Sequence, residues 1–102
     1  MSDISENDFW YTLNEPEPEI ENIINGGKVY RWYNDQGELH REIDLPAEVG
    51  FFNNNIIYIQ GWWKNGKLHR DNNPAVIRYN KEGNKVYEIF AKDGNITTTI
   101  YY

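Results

Sequence analysis

Apolar and polar positions alternate along this chain in short runs with a period of two. Ala47, Val49 and Phe51 fall on one side of such a run, with Glu48 and Gly50 on the other. Ala75, Ile77 and Tyr79 repeat the arrangement, with Arg78 turned away. This period predicts strands of a sheet with one dry face. Three further runs, residues 29–34, 58–63 and 86–91, are aromatic on both sides. Tyr30, Trp32, Ile59, Trp63, Tyr87 and Ile89 are predicted to share one face. Val29, Tyr33, Tyr58, Trp62, Val86 and Phe90 share the other, around a polar row of Arg31, Gln60 and Glu88. Gln36-Gly37, Asn65-Gly66 and Asp93-Gly94 follow these runs and read as hairpin turns. Residues 53–55 and 81–84 turn the chain back again. No stretch sustains a 3.6-residue period, so helix is not predicted.

The runs recur. Residues 26–38 align without gaps on residues 83–95, sharing Gly26/Gly83, Lys28/Lys85, Val29/Val86, Tyr30/Tyr87 and Gly37/Gly94. A third copy, residues 56–67, lies between them with Gly66 at the turn. Gly-x-Leu-His-Arg followed by Pro-Ala is written twice, at residues 37–47 and 66–75. The spacing is 29 residues from Gly37 to Gly66 and 28 from Gly66 to Gly94, the extra residue falling between His40 and Pro46. Periods of this size denote stacked supersecondary units. The predicted fold is therefore all-β: an antiparallel meander of stacked β-hairpin repeats forming a single elongated twisted sheet. Residues 26–102 carry the repeats and end in an edge strand at residues 95–102. Residues 1–25 form an acidic N-terminal arm and a degenerate cap repeat, its Phe9-Trp10-Tyr11 standing where Gly61-Trp62-Trp63 stands.

Charge sharpens this division. The chain of 102 residues has a net charge of −6. Residues 1–21 hold seven acids and no lysine or arginine, and the remaining 81 hold nine acids against ten bases. Such an arm repels nucleic acid and anionic membranes and attracts a basic protein surface. Direct nucleic-acid binding and membrane association are not expected. Cysteine is absent, which removes disulfides and thiolate chemistry and suits a reducing cytoplasm, that of a host if the chain is phage-encoded. The N-terminus lacks the basic and apolar regions of a secretory signal.

His40 and His69 are the first candidates for chemistry. Equivalent positions in neighbouring two-stranded units lie about 10 Å apart, twice the strand spacing. Zinc ligands sit ~2.0–2.1 Å from the metal, so the pair is too wide to share one. No cysteine is present, the only serines are Ser2 and Ser5, and Thr97, Thr98 and Thr99 read as strand formers, so no activated nucleophile stands out. The histidine–arginine pairs are predicted to secure turns, with Arg41 and Arg70 bonded to local carboxylates or carbonyls. No catalytic residue, metal or cofactor is expected. Large aromatics exceed what one face can hide, so at least one of Trp32, Trp62 and Trp63 is predicted to be exposed as an anchor for a protein partner. Arg31 and Arg78 are placed on its rim, and Glu15, Glu17 and Glu19 of the arm assist encounter.

Residues 61–75 resemble the MORN-type repeat, with Gly61, Trp63, Gly66 and His69 at its spacings. Ile59 stands for its tyrosine and Arg70 for its final glycine. The Leu-His-Arg…Pro-Ala form is similar to variant repeats of phage, giant-virus and bacterial antitoxin-like proteins. The resemblance, over residues 26–95, implies stacked hairpins serving as a binding platform. It points to a non-enzymatic protein-binding module, an inhibitor or antitoxin-like protein of a conflict system that blocks its partner. An acidic decoy that mimics nucleic acid, or a scaffold that self-associates through its edge strands, are the other readings.

Overall fold

A computed structural model describes residues 15–24 and 26–102. Phe9-Trp10-Tyr11, assigned to the cap, lie outside these residues. The described chain is all-β: β1 Glu19–Asn22, β2 Lys28–Arg31, β3 Glu48–Phe51, β4 Ile57–Gly61, β5 Trp63–Lys64, β6 Lys67–Leu68, β7 Val76–Tyr79, β8 Lys85–Lys92 and β9 Asn95–Tyr101. Seven strands form one antiparallel sheet in the order β1-β2-β3-β4-β7-β8-β9, and β5 and β6 form a separate two-stranded hairpin. The overall extents are 36 × 35 × 25 Å, so the molecule is as broad as it is long rather than elongated.

Cross-strand register sorts the faces. Ile20, Tyr30, Val49, Gln60, Ile77, Glu88 and Ile100 lie opposite one another in one row. Glu21, Val29, Gly50, Ile59, Arg78, Tyr87 and Tyr101 form the neighbouring row on the other face. The predicted polar row of Arg31, Gln60 and Glu88 is thus corrected: Tyr30, not Arg31, aligns with Gln60 and Glu88. Likewise Trp62 stands in the position of Trp32. Trp32 N–H donates to the carbonyl of Ala47 and Trp62 N–H to that of Ala75.

The slip has a physical cause. Tyr58 and Val86 are extra residues at register shifts in β4 and β8, and β2 carries none opposite β3. The first turn makes up the count: Tyr33 pairs with Leu39, whereas Trp63 pairs with Leu68 one residue sooner. A missing bulge and a longer turn cancel in length, so the ungapped alignment hides both. Because side chains alternate, a one-residue slip moves each to the opposite face. The bulge at Tyr58 also has a packing role, since its ring lies over Gly50. A Cβ on Gly50 would stand 2.3 Å from Tyr58 Cε2.

The core centres on Tyr30, Trp32 and Val49, with Phe51 and Ile57 against them. Tyr30 and Trp32 stack at 6.4 Å, and Phe51 meets Tyr30 edge-on at 6.1 Å. Further along the same row two buried polar side chains need partners. Tyr79 hydroxyl donates to Gln60 Oε1 at 3.0 Å. Glu88 accepts from Lys85 Nζ at 2.8 Å and from the Tyr102 hydroxyl at 2.5 Å. Those bonds, Lys85 first and Tyr102 second, hold the Glu88 carboxyl below the ordinary glutamate range. The outer strand β9 is exposed throughout and uncharged, whereas the opposite edge, β1, carries Glu19 and Glu21.

Two outcomes test this packing. Gly50→Ala should destabilise by about 1–3 kcal/mol through overpacking against Tyr58. A double-mutant cycle with Tyr58→Ala should recover most of that loss in chemical denaturation. The second concerns pH. A carboxylate depressed in the folded state stabilises above its unfolded value, about 4.3, and that stabilisation fades as pH falls through the folded one. Thermal melts of Glu88→Gln should therefore decline less steeply than wild type between about pH 6 and pH 3.

Candidate functional site

The two Leu-His-Arg segments build matching loops beside the sheet. In the second, the Arg70 guanidinium lies 3.8 Å from the centroid of Trp62. Arg70 Nε and Nη2 donate to the two carboxylate oxygens of Asp44 at 2.9 and 3.2 Å, and Nη1 donates to the carbonyl of Pro74 at 3.2 Å. In the first, Arg41 lies 3.7 Å from the centroid of Trp32. Its Nε and Nη2 donate to Glu15 at 3.0 and 3.1 Å, and its Nη1 to Pro46 O at 3.2 Å. Both arginines reach back 26 residues to their carboxylate. Planar guanidinium is suited to this triple task, since its fork matches a carboxylate while its face stacks on indole. Trp62 Nε1 donates to the backbone carbonyl of Asp44 at 3.0 Å, adding a further tie between the loops.

The histidines reach forward. Asn65 N–H donates to His40 Nδ1 at 3.0 Å, and Asp93 N–H donates to His69 Nδ1 at the same distance. Both donors are left-handed turn residues, φ 48° at Asn65 and 50° at Asp93, just ahead of Gly66 and Gly94 at 81° and 85°. With Nδ1 accepting, the proton of His40 sits on Nε2, which donates to Glu42 at 2.5 Å. His69 Nε2 faces Asp71 at 3.4 Å. Gly66 N–H also donates to Leu39 O, and Gly94 N–H to Leu68 O, so each turn stacks on the segment before it. The bonds hold turns as predicted of the histidine–arginine pairs only in part: each histidine holds the next turn rather than its own, and the arginines find local carbonyls at Pro46 and Pro74 but carboxylates 26 residues away. Among the described residues no group of three or more His, Cys, Asp or Glu side chains is placed to hold a metal ion.

Two grooves run along these loops. One, of about 390 Å³, lies between residues 41–45 and residues 69–73, over Trp62, Trp63 and Lys64. The other, of about 400 Å³, is its counterpart over Trp32, Tyr33 and Asn34, walled by Glu15, Pro16 and residues 40–43. Ile43 lines both. It is 77% exposed and adopts φ 63°, in the left-handed region. Asp44, next to it, is left-handed as well, φ 55°, and the second loop, one residue shorter, has a single left-handed residue, Asn72, φ 65°.

The predicted contact residues scatter among these features. Trp32 and Trp62 are buried, 2% and 7% exposed, beneath their arginines, so of the three tryptophans among which at least one exposed anchor is predicted only Trp63 keeps accessible surface. Trp63 is half-buried, with its indole over Gly61, and lines the first groove. Arg31 bridges Glu21 at 2.7 Å and Glu48 at 2.9 Å across three strands. Arg78 lies on the opposite face from the two tryptophan–arginine stacks, over Tyr58. Glu15 is no free arm residue: its side chain is 10% exposed and the Arg41 side chain 1%. Burial draws Arg41 below its ordinary value, opposed by the bonds and charge of Glu15. Glu17 and Glu19 are exposed. Ile43 escaped the sequence reading, although the extra residue of its loop marked the place.

No helix among the described residues is long and apolar enough to cross a membrane. Comparison with protein-family models, with curated proteins and with solved structures finds no match for this chain.

The two clips should differ in strength. Arg41→Ala strands a buried glutamate and should destabilise by about 3 kcal/mol. Arg70→Ala frees Asp44 to solvent and should destabilise by about 1–2 kcal/mol, chiefly through lost stacking. Urea unfolding of the two variants checks the order.

Proposed function

We propose that this chain is an array of stacked MORN-like β-hairpin repeats that serves as a non-enzymatic protein-binding module, blocking its partner by occupying the partner's surface. The observation that carries the reading is Ile43. A β-branched residue in the left-handed region is strained by about 1–2 kcal/mol. The second loop, one residue shorter, meets its left-handed turn with Asn72 alone, a residue that tolerates this conformation, whereas the first places Ile43 there beside Asp44. The strain buys an exposed apolar side chain on the rim shared by two grooves, where a partner can bury it. Trp63 supplies a half-buried aromatic within the first groove. The setting in a conflict system rests on the Leu-His-Arg…Pro-Ala resemblance.

The acidic-decoy reading draws less support. Of the four described acids in the arm, Glu15 is paired with Arg41 and Glu21 with Arg31. Both charges are thereby compensated within the fold.

Ile43→Asn separates stability from function. Relief of strain should raise the melting temperature by about 4 °C or more. Affinity capture from lysate should retain a protein on the wild type that is lost on Ile43→Asn and on Trp63→Ala. Equal capture by a well-folded Ile43→Asn overturns the reading, as does a salt-sensitive capture that depends only on Glu17 and Glu19.

A further inference from the structure

Three of the four arginines hold carboxylates: Arg31 with Glu21 and Glu48, Arg41 with Glu15, and Arg70 with Asp44. Arg78 is the exception. Among the described residues it pairs with no acid, in a chain whose acids outnumber its bases by sixteen to ten. Its guanidinium lies 5.2 Å from the centroid of Tyr58, and its Nε is buried without a hydrogen-bond partner. A buried charged donor left unpaired is costly, and native structures retain few of them.

The surroundings show what would complete it. Arg78 lines a hollow of about 240 Å³ at the end of the sheet away from the paired grooves. Lys81 is the second cation of its lining, and Ile23, Phe52 and Tyr58 supply apolar and aromatic walls. Among the described residues no acid lines it, whereas both grooves carry acids beside their arginines. Drug-sized sites begin at about 300 Å³, so this hollow suits one residue-sized group rather than a cofactor. A guanidinium with a neighbouring ammonium selects a carboxylate through charge-assisted hydrogen bonds, and the aromatic walls select what carries it.

We infer that the Arg78 hollow binds a carboxylate borne on a residue-sized apolar stem, the anion on Arg78 and Lys81 and the stem against Phe52 and Ile23. Such a group is presented by the C-terminal residue of another polypeptide or by a free apolar acid. The site lies apart from Ile43 and does not rest on the role given to it.

Titration followed by amide NMR tests this with three probes: N-acetyl-leucine, its carboxamide, and a tetraglycyl-leucine peptide with a free carboxylate. The two acids should shift the signals of Gly27 and Tyr58 saturably, and the carboxamide should not. Arg78→Gln should weaken acid binding at least about tenfold, the loss expected for a charge-assisted bond. Tighter binding of the peptide than of N-acetyl-leucine assigns a chain terminus as the source, and equal binding assigns a free acid. Lys81→Gln, at an exposed position, should weaken binding about two- to fivefold and carries the test if Arg78→Gln does not fold. Equal shifts from acid and carboxamide, acid binding unchanged in a folded Arg78→Gln, or no saturation by either acid overturns the proposal.

Discussion

The stacking of an arginine on a tryptophan, with its fork closed on a carboxylate from the preceding loop, is the contact on which this architecture depends. A single-layer sheet has no opposing layer to cover its apolar face. Here the cover comes from the loops. Arg41 and Arg70 lie over Trp32 and Trp62, and both rings are buried. The guanidinium stays hydrated in effect, since Glu15 or Asp44 and a proline carbonyl take the places of water. Lysine has no planar fork to perform both tasks.

Directionality follows from the same loops. Each arginine reaches back to an earlier carboxylate, and each histidine reaches forward to the backbone of a later turn. Every joint is therefore closed from both sides, by groups that only the neighbouring segment can provide. Glu15 takes at the start of the described chain the place that Asp44 takes inside it, and this makes an acid of the N-terminal arm part of the packing. At the other end β8 runs directly into β9, and no third Leu-His-Arg loop intervenes.

Once the clips use most of the rigid polar groups, the remaining irregularities become informative. Ile43 is strained and exposed, whereas the left-handed turn of the second loop uses an asparagine. Among the described residues Arg78 lacks the carboxylate that every other arginine has. The first departure concerns backbone conformation and the second charge, and they lie at opposite ends of the strands. A fold that secures its own polar groups so consistently leaves such departures to be explained by what lies outside the chain.

Much of this was legible in the sequence. Alternation in residues 47–51 and 75–79 specified half-buried strands, because the pleat has a period of two whatever surrounds it. Glycines at 37, 66 and 94 specified the turns, because positive φ is a local steric demand. The duplicated His-Arg pairs pointed to turn anchors, because two histidines two strands apart cannot share a metal. Tertiary structure alone decided the register. The bulges at Tyr58 and Val86 and the longer turn after Tyr33 compensate in length, and only the hydrogen-bond ladder reveals which residues face each other. It also decided that Trp32 and Trp62 are covered, since their cover is an arginine folded back from a loop, a choice of side-chain direction that no local pattern encodes. The partners of Glu15 and Arg78 belong to the same class. An ion pair across 26 residues, or its absence, depends on where the chain returns in space rather than on any neighbour in sequence.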